Sequence, residues 1–255
     1  MSKVSIVMPI YNSAKTIRRS LESLKCQTFR DFETVIVDNN CTDASMIIVS
    51  EYKEDLNIRV VKCETQGIVP ALNTGLHAAS SPLIARQDAD DYWYPEKLEK
   101  QVEFLDAHPD VSILGTQLRL LDEEGNVQEL GTYNRPINYP QDDSRIKQML
   151  MLGQNPLCHP SVVFRKEVPL IIGGYSKFFH LAEDLHLWTR AIPFFNFANL
   201  DDVLIDYTQT IRTDYDPNTP LLCSSLYFDL YKAAGIVKGE RPKILYEWQV
   251  EGDNR

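Results

Sequence analysis

The chain has 255 residues, 44% of them hydrophobic and 24% charged, an ordinary globular composition that excludes disordered, collagen-like and fibrous classes. Its 26 Lys and Arg against 36 Asp and Glu give a formal charge of −10, and with no basic stripe in view nucleic acid is not an expected partner.

The first half alternates strand and helix patterns. Val4 to Met8 reads as a buried strand ending at Pro9. Asn12 and Ser13 are placed to cap a helix carrying Ile17, Leu21 and Leu24 at i, i+4, i+7. Phe32 to Val37 is a second strand closing at Asp38, followed by turn residues Asn39 to Asp43 and a helix over 44–52. Ile58 to Val61 is a third strand, and Ile68, Leu72, Gly75, Leu76 and Ala79 form a helical face. Leu83 to Ala85 is a fourth strand, running into Arg86-Gln87-Asp88-Ala89-Asp90-Asp91. Pro95 starts a helix continued by Leu98, Val102 and Leu105.

After Asp110 the pattern changes. Two strands over 111–122 and 127–130 predict a hairpin around Gly125-Asn126. Helices are expected over 144–152 and 183–191, and strands over 161–164, 196–200 and 203–207. Thr219-Pro220 starts a C-terminal helix through Ala234, with Leu222, Leu226 and Leu230 in register. This order predicts one compact α/β domain. Its mainly parallel sheet has helices on both faces and binds ligands at the carboxyl ends of its strands. A nucleotide-binding half over 1–110 precedes an acceptor half over 111–218 and a helical extension over 219–255.

Cys26, Cys41, Cys63, Cys158 and Cys223 are odd in number, scattered, and form no CxxC pair. They argue against a disulfide framework or zinc site and for a reducing, cytoplasmic compartment. The first residues lack the apolar region of a signal peptide. No apolar run approaches the ~20 residues of a membrane span.

Three carboxylates in Asp88, Asp90 and Asp91 repel one another unless they are solvated or a hard divalent cation sits on them. Magnesium or manganese shared with phosphate oxygens is one reading; an acidic surface turn capping the Pro95 helix is the other. Asp38 is either an Asx-turn residue or a hydrogen-bond partner for a base or ribose. Glu183-Asp184 is either favourable charge at a helix start or a general base. His159, before Pro160, reads as structural. No G-x-S-x-G, Walker loop or G-x-G-x-x-G occurs, so serine hydrolase, P-loop and ordinary dinucleotide readings lose support.

Taken in order, the motifs resemble those of family 2 glycosyltransferases. They are Val4 to Asn12, Val35-Ile36-Val37-Asp38 with Cys41-Thr42-Asp43, Gly67-Ile68 with Ala71-Leu72-Asn73 and Gly75-Leu76, Ala85 to Asp91, His159-Pro160-Ser161, Gly173-Gly174-Tyr175, and Glu183 to Arg190. The resemblance implies a GT-A fold, Rossmann-like with a smaller acceptor-side subregion. It also implies an inverting, metal-dependent transferase moving a sugar from a nucleotide-diphospho-sugar, commonly a UDP-sugar, to an acceptor hydroxyl. Pro9, Tyr11, Asn12 and Asp38 would line the nucleoside. Arg86 would lie near the donor, and Asp88 would contact its ribose or sugar. Asp90 would hold Mn2+ or Mg2+, Asp184 would be the base, and Arg212 would reach the diphosphate from a lid over 209–219. The expected acceptor is a glycan or lipid-linked molecule, with peripheral contact to the cytoplasmic face of a membrane left open. Two departures stand out: Asn39-Asn40-Cys41 replaces the family's Asp-Gly-Ser, and Tyr207 to Arg212 lacks its histidine. A nucleotidyltransferase, which needs a basic Gly-rich loop that residues 8–16 lack, and a non-catalytic nucleotide-sugar-binding module are the competing readings.

Overall fold

A computed structural model describes residues 1–131, 135–136, 138–179, 181–209 and 218–235. The elements run β1 (Val4–Ile10), α1 (Ile17–Lys25), β2 (Phe32–Asp38), α2 (Ser45–Glu51), β3 (Ile58–Lys62), α3 (Ile68–Ala78), β4 (Leu83–Arg86), β5 (Tyr92–Trp93) and α4 (Lys97–Ala107). Then come β6 (Val111–Leu121), β7 (Val127–Gln128), β8 (Leu130–Gly131), β9 (Arg135–Pro136), α5 (Asp143–Met151), a 3-10 turn (His159–Ser161), β10 (Val163–Arg165), α6 (Glu167–Ile172), α7 (Glu183–Ala191), β11 (Asn196–Thr208) and α8 (Asn218–Ala233).

Among the described residues, the main sheet has the order β3-β2-β1-β4-β10-β6-β11-β5, with β7 beside β6. β1, β2, β3 and β4 are parallel, as are β6 and β11. The short β10 is antiparallel to both β4 and β6 and joins the two parallel blocks. The predicted hairpin forms, pairing Leu120 with Gln128 and Leu121 with Val127.

Strand periodicity sorts the core. Val4, Ile6, Met8 and Ile10 of β1 pack with Ile17, Leu21 and Leu24 of α1 and with Leu98, Val102 and Leu105 of α4. Val7, from the same strand, points the other way, toward Leu72 of α3, Ile146 and Leu150 of α5, and Leu187 and Trp188 of α7. Helices therefore cover both faces.

Two expectations need correction. Asn12 and Ser13 do not cap α1 with their side chains. Instead the Ser13 carbonyl accepts from the backbone N–H groups of Thr16 and Ile17. The strands expected over 196–200 and 203–207 are one strand, β11, whose register against β6 shifts between Leu200 and Val203. The intervening Asp201 and Asp202 are exposed, so the irregularity turns two carboxylates to water without ending the strand.

Candidate active site

Because β1, β2 and β4 are parallel neighbours, their carboxyl ends lie side by side. This edge brings together Pro9, Tyr11 and Asn12 after β1, Asp38 after β2, and Arg86 to Asp91 after β4. Pro9 is buried, while Tyr11 is 54% exposed. Asn12 sits at φ 48°, a left-handed conformation that asparagine tolerates better than most residues. Its Oδ1 accepts from the Thr42 backbone N–H at 2.8 Å, so Asn12 ties the first loop to the second. Asp38 Oδ1 accepts from the Cys41 N–H three residues on, at 2.9 Å, a local side-chain bond that closes the turn after β2 but is one residue longer than an Asx turn.

Asp88, Asp90 and Asp91 each present a carboxylate oxygen, and the three lie within 4.8 Å of one another. Asp91 is fully buried. Its Oδ1 accepts from the Thr208 N–H at 2.8 Å, and its Oδ2 has no partner among the described residues. Burial, reinforced by the charges of Asp88 and Asp90, pushes the Asp91 carboxyl well above the usual carboxylate range. Arg86 is 5% exposed and ion-pairs with Asp88. Burial opposes its charge, but the Asp88 carboxylate outweighs that and holds the guanidinium firmly protonated. A cluster of hard oxygen donors with an unpartnered buried oxygen fits Mg2+ or Mn2+.

Asp184 lies in the first turn of α7. Its Oδ2 accepts from Asn155 Nδ2 at 2.6 Å and its Oδ1 from the Leu185 N–H at 2.7 Å. Burial raises its pKa against these hydrogen bonds. The buried phenol of Tyr175 links the two groups of acids, since it lies within electrostatic reach of Arg86, Asp184, Glu183 and Asp88. Tyr175 is held to His159 Nε2 by a 2.8 Å hydrogen bond. Burial and the Arg86 charge keep the His159 ring neutral.

The Gly-Gly-Tyr motif is clamped from two sides. Asn73 on α3 donates to the Tyr175 carbonyl and accepts from the Tyr175 N–H, both at 2.9 Å. Arg190 on α7 donates to the carbonyls of Ile172 and Gly174. Gly174 has φ 69°, and a Cβ there would lie 2.7 Å from Asn73 Oδ1. Glycine meets both constraints.

Pro9, Tyr11, Asn12, Asp38, Arg86, Asp88 and Asp90 thus share one sheet edge, and Asp184 reaches Arg86 electrostatically across it. Arg212 and most of the 209–219 segment lie outside the described residues. Sequence reasoning missed Asn155, and it gave Tyr175 no role. The Gly-Gly-Tyr motif marked the second, whereas nothing local marked the first.

Residues 5–168 match the family model described as glycosyl transferase family 2. EpsE of Bacillus subtilis (strain 168) is 31% identical over 193 residues, covering 74% of this chain and 66% of that protein. The amylovoran biosynthesis glycosyltransferase AmsE of Erwinia amylovora is 32% identical over 206 residues, covering 79% of this chain and 74% of that protein. Among solved structures, S. aureus TarS 1–349 in complex with UDP-GlcNAc superposes with a TM-score of 0.70 at 24% identity, covering 88% of this chain and 65% of that one.

Proposed function

This chain belongs to glycosyl transferase family 2, and from that premise we propose that it is a metal-dependent, inverting transferase moving a sugar from a UDP-sugar to an acceptor hydroxyl. That it is a glycosyltransferase with a GT-A fold follows from the family and the structural likeness. The donor base, the metal and the residue roles are our reading.

One observation carries it: three clustered carboxylates at the end of β4, beside a buried arginine, with Asp184 in electrostatic reach. Pro9, Tyr11, Asn12 and Asp38 would line the nucleoside, and Arg86 and Asp88 would border the donor. Asp90, with its neighbours in the cluster, would hold Mn2+ or Mg2+. A bound cation would neutralise charge growing on the leaving diphosphate.

Asp184 would take the proton of the acceptor hydroxyl as that oxygen bonds to the anomeric carbon. The bond from that carbon to the diphosphate breaks on the opposite face, so configuration inverts. Burial, by raising the Asp184 pKa, makes it a stronger base than an exposed aspartate. Asn155 and Leu185 N–H fix both of its oxygens and so aim it.

We assign the role to glycan or cell-surface polysaccharide synthesis, supported by the relative named for amylovoran biosynthesis, with a glycan or lipid-linked acceptor. Residues 1–255 act as one catalytic domain in this reading. No helix among the described residues is long and apolar enough to cross a membrane. Cytoplasmic action, at or near a membrane face, is supported by five free thiols.

Calorimetry of UDP binding tests the reading. Affinity should be markedly higher with Mn2+ or Mg2+ than with chelator, and Asp90→Asn should remove most of the difference. Equal affinity in chelator would refute it.

A further inference from the structure

The acidic loop after β4 exposes backbone carbonyls that cannot join the sheet, and side chains from distant elements accept the task of binding them. On one side stands Ser20 of α1, fully buried. Its hydroxyl lies 3.0 Å from the Asp88 carbonyl and 2.5 Å from that of Asp91. Gln87 Nε2 adds a 3.1 Å bond to the same Asp91 carbonyl. On the other side stands Thr208, the last residue of β11. Its Oγ1 donates to the Asp90 carbonyl at 2.9 Å, while its N–H donates to the Asp91 carboxylate at 2.8 Å. One residue therefore grips two consecutive acids of the cluster through two different groups.

We propose that Thr208 is a positioning residue for donor binding, its hydroxyl setting the direction in which the Asp90 carboxylate points. The inference rests on the assignment of Asp90 to the cation. The backbone bond to Asp91 needs no particular side chain, because any residue except proline supplies an N–H. The bond to the Asp90 carbonyl does need one. Arg19 Nη1 reaches the same carbonyl at 3.4 Å, from a side chain 42% exposed. Without the hydroxyl the carbonyl loses its shorter bond, and the peptide between Asp90 and Asp91 turns more freely, carrying the Asp90 side chain with it. Serine retains the hydroxyl; valine keeps the branched shape and loses only the donor.

Two variants separate these terms. Thr208→Val should weaken binding of UDP with Mn2+ about five- to tenfold, the scale of one lost hydrogen bond. It should raise the KM for donor by a similar factor while kcat stays within about twofold. In the metal-free protein, amide exchange at Ala89, Asp90 and Asp91 should quicken. Thr208→Ser should match wild type in all three measurements. Wild-type affinity and exchange in Thr208→Val would overturn the proposal. So would equal weakness in Thr208→Ser, which would assign the effect to side-chain shape. Failure of the wild type to bind UDP with Mn2+ would overturn the donor reading instead. Exchange in the metal-free variants would still decide whether the hydroxyl holds the loop.

Discussion

Asn155 donates to Asp184 at 2.6 Å, and its own carbonyl oxygen, Oδ1, is buried with no partner among the described residues. The pair is matched to a carboxylate as drawn, yet a half-turn of the Asn155 amide would present an acceptor in place of a donor.

That property shapes the first prediction. In Asp184→Asn the flipped Asn155 can accept from the new amide, so the fold keeps its hydrogen bonds. The mutant also removes a charge that burial disfavours. A carboxylate with a raised folded pKa costs stability once pH exceeds its unfolded value, so relief is fullest at neutral pH. Asp184→Asn should melt at or above the wild-type temperature at pH 7.5, bind donor normally and transfer sugar at least about a hundredfold more slowly. Near-normal transfer would remove Asp184 from the mechanism.

A second prediction concerns Asp206, 3% exposed. Its carboxylate accepts from Arg119 at 2.7 and 2.8 Å, from Arg19 at 3.0 Å and from the Tyr94 hydroxyl at 2.8 Å. Asp206→Asn should cost about 1–3 kcal/mol in urea unfolding, since charge-assisted bonds to both guanidiniums are lost. Solvent recovers part of the loss, because both arginine side chains are nearly half exposed. Arg19→Ala should cost less than Arg119→Ala, because Arg119 gives the carboxylate two short bonds while Arg19 gives it one and reaches the Asp90 carbonyl only at 3.4 Å. The reverse order would contradict the geometry.

His186 supplies a pH test. It stacks on Phe179 with centroids 4.1 Å apart and bonds to the Tyr227 hydroxyl at 3.0 Å. Burial, then the charge of Arg190, lowers its pKa to about 4. A histidine depressed in the fold is protonated first in the unfolded chain. Its stabilising contribution is complete above about pH 6.5 and fades as pH falls toward about 4. His186→Gln lacks this titration. The wild-type advantage over His186→Gln at pH 7.5 should therefore shrink steadily through that window. A constant gap would show that the ring is not depressed.

Gly75 supplies a packing test. A methyl group there would strike Cγ1 of Val7 and lie 3.2 Å from Cγ2 of Val37. Both valines are buried under α3. Gly75→Ala, ordinarily favourable within a helix, should here cost about 1–3 kcal/mol by thermal or chemical unfolding. A gain in stability would mean that the helix can lift from β1 and β2 without loss.

The alternation of strand and helix up to Leu105 was legible because β1 to β4 are buried runs and the helices carry apolar stripes at the right period. The acids were legible because parallel strands place their carboxyl ends on one edge. The antiparallel β10 was not assignable from alternation, since three residues carry no period that distinguishes direction. Asn12 looked like a cap because asparagine suits caps, but its side chain binds Thr42, thirty residues on. Ser20, Asn155 and Thr208 gave no local signal at all. Their partners lie 71, 29 and 118 residues away, and such pairings are decided by the closed sheet rather than by any sequence window.

The pairing of β5 with β11 has a consequence in time. Tyr92 meets Asp206 only when a strand made more than a hundred residues later arrives, and closure over so long a loop is intrinsically slow. The β1 to β4 block has nearer partners and should gain exchange protection early in refolding, with the amide of Tyr94, which donates to the Leu204 carbonyl of β11, following late in a pulse-labelling experiment. On the ribosome, the same order leaves the acidic loop with the Ser20 and Gln87 bonds alone to draw on until Thr208 has emerged, so the growing chain carries its cluster of carboxylates through more than a hundred residues of synthesis before the Thr208 grip can complete their arrangement.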